Sequence, residues 1–151
     1  MKKLALAIVV LVAAGALWRM RAHDAGQPKL LFDRFWVDHE PQGPREAFRV
    51  VFVNGEAPFG HFANRTMWTG QWEGFHYHVV PREDGVLDML FGATNERQRV
   101  RYVARRCNDN GFDFCLDVSG TSRGVKRYFS KKEWEAHSDA DVEAIAHQLA
   151  R

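Results

Sequence analysis

The sequence predicts a mainly β protein. The expected architecture is an antiparallel up-and-down meander of eight or nine strands closing as a small barrel, with an N-terminal hydrophobic leader helix and a C-terminal helix. Three observations predict it. Between residues 29 and 129 apolar side chains recur with a period of two. Turn-forming residues interrupt that alternation at short intervals: Pro41-Gln42-Gly43-Pro44, Asn54-Gly55, Glu83-Asp84-Gly85, Asn95, Asn110-Gly111 and Ser119-Gly120. Beyond residue 129 the period changes to that of a helix. The length of 151 residues suits one domain. A hydrophobic fraction of 46% with 26% charged residues excludes a disordered chain, and two cysteines exclude a disulfide-dense scaffold.

The first element is a leader over residues 1–21. Lys2 and Lys3 precede 15 uncharged residues, Leu4 to Trp18. As a helix these span about 22 Å, short of the roughly 30 Å hydrocarbon core of a bilayer. A signal peptide is therefore expected, with Ala14-Gly15-Ala16 supplying the small residues of a cleavage site. Arg19 and Arg21 follow at once and oppose translocation, so an uncleaved N-terminal membrane anchor is the alternative. The expected location is the periplasm or outside the cell, or else the inner membrane with a single N-terminal anchor. The chain's formal charge of +2 comes from the leader. From Ala22 onward 17 basic residues face 19 acidic ones. That balance speaks against a nucleic-acid-coating domain. Membrane contact is expected only through residues 1–21, and the barrel is expected to be a monomer, since closure removes sheet edges.

The β-barrel domain is expected over residues 29–129. Its candidate strands are residues 29–38, 46–53, 58–63, 66–72, 75–80, 86–91, 98–107, 112–118 and 125–129. Asn110-Gly111 is a strong hairpin signal between the two longest alternating runs. Counting outward from that turn puts Cys107 and Cys115 on the polar face of both arms. A disulfide closing the hairpin is expected on that geometry, given export. The inward positions are expected to include Phe75, Tyr77, Phe112, Phe114, Leu116 and Phe129. The first two and Phe112 and Phe114 are the candidate contacts for a small hydrophobic ligand.

The C-terminal segment, residues 130–151, is expected to pack on the barrel. Ser130-Lys131-Lys132-Glu133 is a capping-box pattern. Ser138 can cap a further helix, with Asp139, Asp141 and Glu143 favoured by its dipole. Val142, Ile145, Ala146 and Leu149 form its apolar stripe.

Asp33-Arg34-Phe35-Trp36, the strand meander, Gly124-Val125-Lys126-Arg127-Tyr128 and the terminal helix together resemble a small calycin barrel of the lipocalin kind. The resemblance implies a stack of Trp36 on Arg127 closing one end of the barrel, a cation–π contact. Lipocalins carry glycine two residues before that tryptophan, where this chain has Arg34. The segment from Cys107 to Trp134 also resembles an uncharacterised family of bacterial exported proteins, which implies no activity.

Gly70-x5-His76-x-His78-x4-Glu83 resembles the first metal-binding motif of cupins. Alternation places both imidazoles on one strand face, as divalent-metal sites require. However, Phe75, Tyr77 and Val79 make the better apolar face, which turns His76 and His78 to solvent. Arg97, Arg99, Arg101 and Arg105 form a basic row, with Arg106 beside it and Arg123, Lys126, Lys131 and Lys132 as possible neighbours. Asp113 and Asp117 on the facing strand offer cross-strand pairing. Gly120-Thr121-Ser122-Arg123-Gly124 has neither nucleophile-elbow nor phosphate-loop spacing. Trp68 and Trp72, either side of Gly70, could line a pocket mouth or pack a rim. Two functions remain in view: a non-enzymatic binding or structural module without a cofactor, and a cupin-like metal-dependent enzyme using His76, His78 and Glu83.

Overall fold

The computed structural model describes residues 26–43, 46–63 and 72–149. The leader and most of the candidate strand over residues 66–72 lie outside them. Eight antiparallel strands close into a barrel in sequence order: β1 (Phe35–Val37), β2 (Val50–Val53), β3 (Phe59–Ala63), β4 (Trp72–Val79), β5 (Val86–Phe91), β6 (Glu96–Asp109), β7 (Phe112–Ser119) and β8 (Arg127–Ser130). The closing pair is Val37 opposite Phe129. The architecture is compatible with a calycin-like fold.

Two cores share the strands. Alternation sends one set of side chains into the barrel, with Trp36, Val53, Phe75, Leu87, Phe91, Tyr102, Phe114, Leu116 and Tyr128 among its buried members. The opposite faces of β1, β2 and β8 build a second core under the C-terminal segment. There Phe35, Val37 and Val50 meet Trp134, Ala136, Ile145, Ala146 and Leu149. The helix α1 (Asp139–Leu149) buries the expected stripe. Ser138 caps it: its Oγ accepts from the Asp141 backbone N–H at 3.3 Å and donates to the Asp141 carboxylate at 2.8 Å. The pattern at Ser130 yields only a three-residue 3-10 turn, Lys132–Trp134, without a side-chain cap. Ser130 is instead the buried last residue of β8.

The hairpin turn falls at Asn110-Gly111, both with positive φ, as its two-residue loop requires. The register shifts between Arg106 and Asp109. That bulge brings Cys107 within 5.7 Å (Cα to Cα) of Cys115, whose direct partner is Arg105. The two are joined as a disulfide. Cys115, expected on a polar face, is buried, because its face of β7 lies beside Phe129 over the second core.

The phase of β8 also differs from expectation. Val125 precedes the strand, and Tyr128, not Phe129, points into the barrel. Phe129 and Phe112 belong to the outer core, stacked with centroids 5.1 Å apart. The reason is chemical: outward, Arg127 reaches Asp117, with Nε 2.6 Å from Oδ1, while the inward position would strip it of water without an acid.

Candidate functional site

Neighbouring loops assign the barrel two ends. At one end the chain enters. Pro28–Leu31 forms a 3-10 turn whose Leu31 is buried in the barrel. The Trp36 indole N–H donates to the Leu31 carbonyl at 3.0 Å, the Tyr102 hydroxyl donates to the Pro28 carbonyl at 3.3 Å, and the Gln27 N–H donates to the Ala104 carbonyl at 2.6 Å.

Arg34 completes this end. Its position shares the inward phase of Trp36, and it is 4% exposed. The guanidinium lies over the Phe114 ring at 4.3 Å, donates from Nη1 to the Lys131 carbonyl at 2.7 Å and pairs from Nη2 with Glu135 at 2.7 Å. Burial pushes its pKa down, against the pull of Glu135 and Asp113. The cation–π closure implied for Trp36 and Arg127 is therefore made by different residues. Arg127 is exposed and paired with Asp117, and Arg34 on Phe114 supplies the contact.

The opposite end holds the β5–β6 and β7–β8 loops. Below them lies an interior cavity of about 60 Å³. Its walls include Val53, Phe75, Leu87, Phe91, Leu116 and Tyr128, and Thr121 and Arg123 sit at its mouth. Tyr102 and Tyr128 both line the cavity, and the pKa of each hydroxyl is pushed up to about 12, chiefly by burial. Both stay neutral at physiological pH.

Arg123 spans the mouth. Its guanidinium grips Glu73 of β4 as a fork, at 2.8 and 3.0 Å, and donates to Glu96 of β6 at 2.6 Å and to the Thr94 hydroxyl at 3.0 Å. Its central carbon lies over the Phe91 ring, 4.1 Å from the ring centroid, and Phe91 lines the cavity. Glu96 also accepts from Gln98 at 2.6 Å, and Gln98 binds the Ser122 backbone and hydroxyl. Hydrogen bonds donated by Gln98 and Arg123 hold the Glu96 carboxyl below its ordinary value, and the bonds that Arg123 donates to Glu73 and Glu96 keep it protonated. The loop carrying Arg123 is bounded by Gly120 and Gly124, both with positive φ. At Gly120 a Cβ would also collide with the Arg99 carbonyl oxygen.

Of the four candidate ligand contacts, Phe75 alone lines the cavity. Tyr77 packs at the edge of the barrel core and donates from its hydroxyl to the Asn54 carbonyl at 2.5 Å. Phe114 lies under Arg34, and Phe112 is in the outer core. His76 and His78 point outward and are exposed, opposite Leu90 and Asp88 on β5. Glu83 is not brought to them; its nearest charged partner is Arg99, at 3.9 Å. Among the described residues no three potential ligands gather around a common point.

The basic row is partly paired across strands. Arg99 binds Asp88 at 2.8 Å, and Arg105 shares Asp117 with Arg127. The two arginines raise the acidity of Asp117 enough to overcome its burial. No described helix is long and apolar enough to cross a membrane. Comparison of the chain with protein-family models, curated proteins and solved structures finds no match.

Proposed function

We propose that this protein is a non-enzymatic binding module of the cell envelope that admits a small apolar molecule, or the end of an alkyl chain, through the Arg123 end of its barrel. One observation carries the reading. Among the described residues the mouth of the apolar cavity is spanned by one side chain, Arg123, held by polar contacts and by its stack on Phe91, whereas backbone and core packing seal the opposite end. Polar contacts of this kind exchange with water at small net cost, so Arg123 can swing aside without unfolding the barrel.

The volume bounds the ligand. About 60 Å³ is less than half of the roughly 150 Å³ that accepts benzene. A larger ligand requires Arg123 to leave and its own chain to project through the mouth. The lipocalin resemblance supports ligand binding inside a barrel, and the charged-apolar-small order of residues 2–16 supports export, with residues 1–21 as signal peptide or anchor. We assign the periplasm or the outer face of the inner membrane as its place. The likeness to uncharacterised exported proteins agrees with that assignment.

Xenon binding followed by NMR tests the proposal, because dry apolar cavities of small size take up xenon. Shifts confined to methyl groups of Val53, Leu87 and Leu116 are expected, and Leu116→Phe, which fills the cavity, should abolish them. Shifts spread over the outer surface, or unaltered by Leu116→Phe, contradict the reading.

A further inference from the structure

A second concavity lies outside the barrel, between the outer faces of β2–β4 and the start of α1. Its volume is about 480 Å³, within the range of sites for small molecules. Phe52, Phe59, His61 and Trp72 form its sheet wall. Phe59 and His61 meet edge-on at 5.7 Å, and His61 and Trp72 edge-on at 6.3 Å, so the rings make one continuous row. Trp72, at the end of this row, is 40% exposed.

Among the described residues that line the groove the charges are of one sign: Asp33, Glu56 and Asp139 line it, and none of the described lining residues is lysine or arginine. Glu56 and Asp139 have no ion-pair partner among the described residues. The dipole of α1 opposes a cation at its N-terminus, but Asp141 already meets it by accepting from the His137 N–H at 3.0 Å and the Ser138 hydroxyl. The groove thus brings an aromatic row together with Glu56 and Asp139, which have no ion-pair partner among the described residues.

We infer that this groove binds an organic cation, a quaternary or protonated amine carried on an apolar body. Ring quadrupoles attract such a charge, and the carboxylates add a long-range term of the same sign. An anionic or purely apolar ligand gains nothing from the carboxylates. This site is independent of the barrel interior.

The test titrates the full chain with benzyltrimethylammonium, using benzyl alcohol as the uncharged and phenylacetate as the anionic comparator. Binding is read by calorimetry and by NMR shifts. The cation should bind most tightly and phenylacetate not at all, with shifts at the Trp72 indole, Phe59 and His61. Glu56→Gln with Asp139→Asn should weaken cation binding about tenfold, as should Trp72→Ala. Glu56→Gln alone, in an exposed loop away from the helix cap, should weaken it severalfold and guards against a folding defect at α1. Equal affinity for benzyl alcohol, unchanged affinity in the carboxylate variants, or no binding at millimolar cation overturns the inference.

Discussion

Where the chain enters, the barrel is closed by its own backbone: the 3-10 turn at Pro28–Leu31, three hydrogen bonds and the buried pair Trp36 and Arg34. At the other end one arginine crosses from β7–β8 to β4 and β6 and lies on Phe91. Both closures place a guanidinium over an aromatic ring. Arg34 is buried, and its removal leaves a packing hole and loosens the C-terminal segment held through Lys131 and Glu135. Arg123 is 17% exposed along its side chain and rests on carboxylates that water can serve equally well. The same contact type therefore makes a structural plug in one place and, on the function we propose, an openable latch in the other. Burial and the origin of the partners decide which.

The largest expected effect comes from the plug. Trp36→Ala should cost about 3–5 kcal/mol in denaturant unfolding, because Trp36 is wholly buried and its indole N–H bond is lost. A cost near 1 kcal/mol would show that the chain-entry end is not what holds the barrel closed. Next, replacing Cys107 and Cys115 together with serine should cost about 2–3 kcal/mol by the chain-entropy argument. The bulge at Arg106–Asp109 should then show faster amide exchange, while the Arg123 end stays unchanged.

The latch responds to acid in a defined direction. The Glu96 carboxyl lies below its ordinary value of 4.5 in the folded state, so its contribution is fully present above that pH. It disappears as pH falls through the depressed folded value. NMR of the Arg123 Nη1–H, which donates to Glu96, should thus show a slowly exchanging proton from pH 8 down to about 5 and its loss only below the ordinary carboxylate range. Loss near neutral pH would contradict the latch geometry. The smallest effect belongs to the exposed pair: His76→Ala with His78→Ala should change stability by no more than about 0.5 kcal/mol. Loss of a stoichiometric metal from that variant would revive the cupin-like alternative.

Much of the fold is legible in local sequence, and the reasons are local. Period-two alternation, Asn110-Gly111 and the Val142–Leu149 stripe depend on residues close in the chain. The errors arise where a distant partner sets the phase. The lipocalin resemblance turns Arg127 inward to stack on Trp36, but Asp117 across the sheet draws it out. Phe112 and Phe129 look like interior residues until the helix supplies a second core for them. Arg34 stood out only as a departure from glycine, although its phase with Trp36 already turned it inward. Arg123 gave the least warning. Its partner Glu73 is 50 residues away and Glu96 is 27 away. The one local signal was an arginine held between two glycines that share a left-handed backbone.

The difference between plug and latch is tested most directly by the rate at which xenon exchanges between solvent and the barrel interior. The rate should be compared in the native protein, Arg123→Gln and Trp36→Phe. Arg123→Gln keeps the size and polarity of the side chain but loses the fork to Glu73, so exchange should quicken about tenfold, equivalent to roughly 1.4 kcal/mol off the barrier. Trp36→Phe should lower stability and leave exchange nearly unchanged. Equal exchange in the native protein and Arg123→Gln, or quickening by Trp36→Phe instead, would show that the ligand path does not run beneath Arg123.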